Sequence, residues 1–236
     1  MRYVIVFENG IIGPVLRWVV FAFAFLGVAA TSASAQETGS TSYDGLVVVE
    51  DAKVDAAWID PDADFSVFTR VAILDPVVSF RSNWQRDQNR SRRGSSRISS
   101  SDVERIKRDV AALFKEVFTE RLEADDGYEV VSFADYDVLL LRPAIIDLDI
   151  ADPEVATAGR SQSYSASTGA ATLYLELFDS VSGEILGRAV DRQSGRRSAP
   201  GTLMWSGRMR NVAEARRIFG DWADQLRSFL DQYYTE

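Results

Sequence analysis

The chain of 236 residues contains no histidine and no cysteine. Without cysteine there is no disulfide, no thiol nucleophile and no cysteine-bound cluster. Without histidine there is no imidazole base and no Cys/His zinc site, and a serine nucleophile has no histidine to activate it. Lysine is scarce: of 26 basic residues only Lys53, Lys107 and Lys115 are lysines, so a Ser–Lys pair has few candidates. The glycine-rich phosphate fingerprints are absent as well. Positive charge is in the minority, with 26 Lys and Arg against 35 Asp and Glu and a net charge of −9. An acidic chain of this kind is not expected to bind nucleic acid. The chemistry left is that of carboxylates, Arg, Lys, Tyr and Ser, or none, and no cofactor or metal is expected.

Long apolar runs are also rare. Trp18–Ala30 is an uncharged apolar stretch of 13 residues behind Arg17, followed by Ala33-Ser34-Ala35 and Gln36. A membrane-spanning helix needs about 20 apolar residues. A positive flank, a short apolar core and small residues at −3 and −1 make a secretory signal peptide over residues 1–35, cleaved near Ala35/Gln36. The cleaved chain is expected in the periplasm of a Gram-negative bacterium. With no cysteine after the apolar run, no lipid anchor is expected.

Hydrophobic residues make up 46% of the chain, which argues for a packed core. Residues 36–69 read as a flexible leader and an extended arm, and 70–236 as a single domain. Arg70–Val78 is a β-branched run that reads as a buried strand, and the arginine-rich stretch Arg81–Ser100 reads as a mobile loop. Ser101-Asp102-Val103-Glu104 matches a capping box. Behind it, Val103, Ile106, Val110, Leu113, Phe114, Val117 and Leu122 recur at helical spacing to about Glu123. Tyr128–Phe133 and Asp137–Ile150 read as strands, the second with Pro143 marking an edge or bulge. Ala171–Phe178 alternates and, through the turn Asp179–Glu184, pairs with Ile185–Val190 as a hairpin. Val212, Ala215, Phe219, Trp222, Leu226, Phe229 and Tyr233 stripe a last helix. Two helices with one apolar stripe each should cover one face of one sheet. The expected fold is α+β, a two-layer sandwich with an about five-stranded mixed sheet.

Several of these segments carry a family resemblance. They are Tyr43-Asp44-Gly45-Leu46, Asp64-Phe65, Val71-Ala72-Ile73-Leu74-Asp75-Pro76-Val77, Tyr128-Glu129-Val130-Val131, Asp137 to Arg142, and Asp179-Ser180-Val181-Ser182-Gly183-Glu184. In this order they resemble domain-of-unknown-function family 3313, whose members are exported bacterial envelope proteins, often lipoproteins. The resemblance implies an envelope setting and covers nearly the whole chain after the signal. It implies no catalytic residues. The missing lipobox cysteine is a departure from the family's lipoproteins.

Three constellations remain. Asp147 and Asp149, two apart on a strand, should share a face and with Glu176 of a neighbouring strand could form an acid/base pair. Asp60-Pro61-Asp62-Ala63-Asp64 opens like a calcium loop, but Phe65 and Val71 stand where that motif needs Gly and Glu. Arg81, Trp84, Arg86, Arg90, Arg92, Arg93 and Arg97 gather six arginines around one tryptophan, with Asp87 as the single acid. Arg196 and Arg197, with Arg192, Arg208 and Arg210 nearby, form a second basic group. In an exported acidic protein these arginines suit an envelope protein or another anionic envelope component. The expected function is therefore a non-catalytic periplasmic adaptor of an envelope complex. A carboxylate hydrolase of envelope glycans, and a small-ligand-binding protein with a pocket under the arm, are the alternatives.

Overall fold

The computed structural model describes residues 44–150, 153, 169–194 and 208–233. In chain order the elements are β1 (Val47–Val48), β2 (Ala56–Ile59), β3 (Arg70–Ile73), β4 (Val77–Phe80), α1 (Trp84–Gln88), α2 (Ser100–Leu122), β5 (Glu129–Val131), β6 (Val138–Asp149), β7 (Ala170–Asp179), β8 (Ile185–Ser194) and α3 (Arg208–Leu230). The strands form one eight-stranded sheet in the order β1-β2-β8-β7-β6-β3-β5, with β4 also paired to β6. The sheet is mixed: β3 runs parallel to β5 and β6, and β4 parallel to β6, while the other pairs are antiparallel. The α+β class is as expected, but the sheet has eight strands rather than five. The segment expected as an arm supplies β1 and β2, which extend the sheet beyond β8.

The single strand expected over Arg70–Val78 is two, β3 and β4, each beside a different half of β6. Pro143 explains the break. The Leu74 N–H bonds the Leu141 carbonyl, so in the part of β6 before Asp147 the odd-numbered residues turn their backbone polar groups toward β3 and β4. The N–H that Pro143 lacks would point to that side, between the Ile73↔Leu141 and Val77↔Ala144 pairs, where the neighbour bends at Leu74-Asp75-Pro76. No ladder bond is lost.

One face of the sheet is core. Leu139, Leu141 and Ile145 of β6 and Ala171, Leu173, Leu175 and Leu177 of β7 pack in one cluster with Phe114, Phe118 and Leu122 of α2 and Phe219, Trp222 and Leu226 of α3. Phe114 and Phe118 stack at 3.9 Å, and Phe219 meets Phe114 edge-on at 5.4 Å. The helices run parallel, with Glu116 and Glu120 beside Arg216, and Leu122 beside Arg227.

Helix α2 starts two residues before the expected cap. Ser99 Oγ accepts from the Asp102 N–H at 3.1 Å, and Asp102 Oδ2 accepts from the Ser99 N–H at 3.0 Å. This register puts Ile98 just before the cap and Val103 in the first turn, where an apolar pair fastens the chain's entry. Ile98 belongs to the core and Val103, partly buried, packs against it; a cap at Ser101 would put Ser100 in place of Ile98. At the other end, Arg227 Nη1 donates to the Leu122 and Ala124 carbonyls at 3.0 and 2.8 Å, so α3 caps α2. Gly127 makes room for this, since a Cβ there would lie 2.1 Å from Arg227 Nη1 and 2.2 Å from the Leu122 carbonyl oxygen.

Candidate functional site

The arginine-rich stretch is folded rather than loose. Trp84, expected at a partner surface, is 1% exposed and belongs to the core. Its ring stacks on Phe80 at 3.9 Å and its Nε1 donates to the Ile150 carbonyl at 3.1 Å. The second anchor is Ile98, 2% exposed. Asn89 joins the anchors: its Nδ2 donates to the Ile98 carbonyl at 2.9 Å and its Oδ1 accepts the Ile98 N–H at 2.7 Å. Gln85 Nε2 reaches the same carbonyl at 3.0 Å. A 3-10 turn over Gly94–Ser96 lies inside the loop so closed.

These anchors sort the arginines. Arg81 is turned inward, onto Asp87 at 2.9 Å and Asp149 at 3.0 Å. Arg92 donates to the Pro153 carbonyl at 3.2 Å. Arg86, Arg90, Arg93 and Arg97 stay exposed, the side chains of Arg86 and Arg90 by 66% and 72%. Hydrogen bonding to Arg81, backed by the charges of Arg90 and Arg86, holds the Asp87 carboxyl below its ordinary range. The segment therefore presents a fixed, positively charged surface at neutral pH. Of the second basic group, Arg192 lies on β8 and donates to Thr172 Oγ1 at 3.1 Å. Arg196 and Arg197 lie outside the described residues.

The candidate carboxylates do not converge. Register slips between Ile146↔Thr172 and Asp149↔Ala170, so two residues of β6, Asp147 and Leu148, stand opposite one of β7, Ala171. Asp147 sits in this bulge at φ 51°, and the bulge breaks the alternation that would have aligned it with Asp149. Asp149 is paired with Arg81. Glu176 is opposite Arg142, six residues along β7 from Ala170, which is about 20 Å at strand rise. In the aspartate-rich turn, Asp60 Oδ1 accepts the Asp62 N–H and Asp64 caps a short 3-10 helix. Among the described residues no cluster of three or more carboxylates is placed to hold a metal, and no helix is long and apolar enough to cross a membrane.

A polar row lies on the sheet face away from the helices. Glu176 is 6% exposed and takes Arg142 Nε at 2.7 Å and Arg188 Nη2 at 3.2 Å, while Arg188 also pairs with Asp44. Tyr174 donates to Glu176 at 3.2 Å, and burial, ahead of the Glu176 charge, raises its phenol. Two guanidinium groups on one buried carboxylate satisfy it electrostatically, so this row ties β6, β7, β8 and the segment before β1 together. The alternation of β7 placed Glu176 away from Leu175 and Leu177; only the strand register could supply its arginine partners.

Fold and site thus describe an open α+β protein with a mixed sheet, one helical layer and a fixed arginine-bearing surface. The family model described as "Protein of unknown function (DUF3313)" matches residues 35–226, and the chain belongs to that family. Curated proteins give no match. Among solved structures it is similar to the PelC dodecamer from Paraburkholderia phytofirmans, at 11% identity over 69% of this chain and 91% of that one, with a TM-score of 0.37. It is also similar to XCC0632 from Xanthomonas campestris, from family DUF330, at 12% identity over 71% and 87%, with a TM-score of 0.36.

Proposed function

We propose that this protein is a non-catalytic interaction module of the periplasm, an adaptor that docks an acidic protein surface of an envelope complex through Arg86, Arg90, Arg93 and Arg97. The export pattern ending at Ala33-Ser34-Ala35 supports the compartment. The observation that carries the docking surface is the segment's rigidity: Trp84, Ile98 and the Asn89 bridge hold it before any partner arrives. Binding then costs little loop-ordering entropy. Guanidinium forks match carboxylates in pairs, and a positive patch on an acidic chain orients the approach of a negative partner. A carboxylate hydrolase would use Asp147 and Asp149 as its pair, and against it stand the bulge that breaks their alignment at Asp147, the Arg81 partner of Asp149, and the separation of about 20 Å by strand rise between Asp149 and Glu176.

The test compares two variants of the tagged protein in cells. Replacing Arg86, Arg90, Arg93 and Arg97 together by Gln should lower recovery of the crosslinked partner at least about tenfold, the loss of several charge-assisted contacts. Asp147→Asn with Asp149→Asn should leave it unchanged. Full recovery with the four glutamines, or capture of lipid vesicles in place of protein, overturns the reading.

A further inference from the structure

One side of β6 carries two strands in succession, β3 along its first half and β4 along its second. β5 covers β3 and ends at Val131, opposite Ala72. β4 has β6 as its one neighbour among the described strands. The sheet edge beside β4, in line with β5, therefore bears no strand.

The register says which groups face that edge. Ile145 is opposite Val78 and, like the other odd-numbered residues in that part of β6, turns its polar groups toward β4. In a parallel ladder such groups bond the residues on either side of the one opposite, here Val77 and Ser79. Val78 thus turns its own N–H and C=O away from β6. Phe80 is opposite Leu148, and the next N–H, that of Arg81, donates to the Leu148 carbonyl at 3.1 Å. Phe80 therefore faces away as well. Among the described residues no hydrogen bond reaches these four backbone groups. Val77, where the open edge begins, is 66% exposed. An edge of this kind accepts an added strand.

The open edge leads to the arginine surface. Trp84 of α1 stacks on Phe80 at 3.9 Å and its N–H donates to the Arg81 carbonyl at 3.1 Å, so α1 is held at the end of β4. The exposed Arg86 and Arg90 share one carboxylate, Asp87, at 4.0 and 3.6 Å, and the pair keeps a net positive charge. Before the other end of β4, Asp75 is already held by Lys115 at 2.8 Å. A second copy paired antiparallel on β4 would bring that neutral pair to the arginines rather than free carboxylates. Charge complementarity selects instead a strand of another protein with acidic residues beyond one end.

We infer that β4 receives an extended segment of the acidic partner as an added strand, with main-chain hydrogen bonds at Val78 and Phe80 and carboxylates running on to Arg86 and Arg90. This rests on the docking proposal and adds to it the form in which the partner binds.

The test purifies the product captured in cells by a photo-crosslinking amino acid at Ser95 and compares its amide exchange with that of the free protein. The Val78 and Phe80 amides should exchange at least about tenfold more slowly in the product, each having gained a strand bond. The Ser79 and Arg81 amides bond β6 in both states and should change by less than about twofold. The same photo-crosslinking amino acid at Val77 should capture the same protein. No slowing at Val78 and Phe80, equal slowing of all four amides, or a Val77 probe that captures nothing or a second copy of this chain would overturn the inference and leave the arginine docking in place. Absence of any captured protein at Ser95 would overturn the docking proposal and this inference with it.

Discussion

Asn89 is the residue on which the arginine surface depends most directly. Its side chain makes the two bonds that close the segment on Ile98, at 2.9 and 2.7 Å. Asn89→Ala removes both. The Ile98 carbonyl keeps Gln85 Nε2 at 3.0 Å, so the larger loss falls on the Ile98 N–H. One intramolecular hydrogen bond contributes about 0.5–1.5 kcal/mol, and leaving a buried group unsatisfied costs about 1–3 kcal/mol. A local loss near 1.5–2 kcal/mol raises the open fraction of the segment about tenfold or more. Native-state amide exchange reads this directly, because exchange at Ile98 reports local opening. The Ile98 amide should exchange about ten times faster in Asn89→Ala, while amides in the middle of β7, within the core, stay protected. Asn89→Asp keeps the acceptor and should fall between. Unchanged exchange at Ile98 would refute the argument that this side chain fixes the segment.

Three further outcomes follow from the same geometry. Phe114 is fully buried against Phe118 and Phe219, so Phe114→Ala should cost about 3–5 kcal/mol in urea unfolding; a loss below about 1 kcal/mol would contradict the core assignment. Hydrogen bonding to Arg70 holds the Asp137 carboxyl at about 2, below its ordinary 3.8. The stabilisation is therefore complete above pH 3.8 and is lost as pH falls through about 2. The urea midpoints of wild type and Asp137→Asn should converge over that interval, and a pH-independent difference would exclude the pairing. Gly127→Ala places a methyl group against Arg227 and the Leu122 carbonyl, so it should lower the thermal midpoint more than Gly183→Ala, where Cβ meets open space at φ +72°.

The regular core was legible in the sequence because its order is periodic. The stripe Ile106–Val110–Phe114–Val117 and the alternation Leu173–Leu175–Leu177 announce a helix and a strand without knowledge of partners. The edge strands β1 and β2 were not legible, being short, mixed in polarity and half-buried. They are strands because β8 offers an edge to β2, and β2 in turn offers one to β1. The Arg81–Ser100 segment failed as a loop for a similar reason. Its order comes from two buried residues fourteen positions apart and one asparagine between them, and such contacts have no period. Trp84 misled because tryptophan among arginines matches a binding surface, while its indole N–H was aimed at Ile150, sixty-six residues away. The exposed arginines Arg86, Arg90, Arg93 and Arg97 could be named from sequence; that Arg81 and Arg92 turn inward could not.

The central claim is that the folded arginine segment is the docking surface for an acidic protein. A photo-crosslinking amino acid at Ser95, exposed within the 3-10 turn between Arg93 and Arg97, tests it inside the cell. The account predicts one dominant crosslinked protein with an acidic contact surface, lost when the four exposed arginines become Gln, and no such product from the same probe at Ser182 in the β7–β8 turn. Equal capture at Ser95 and Ser182, or capture at Ser95 that persists without the arginines, would contradict it.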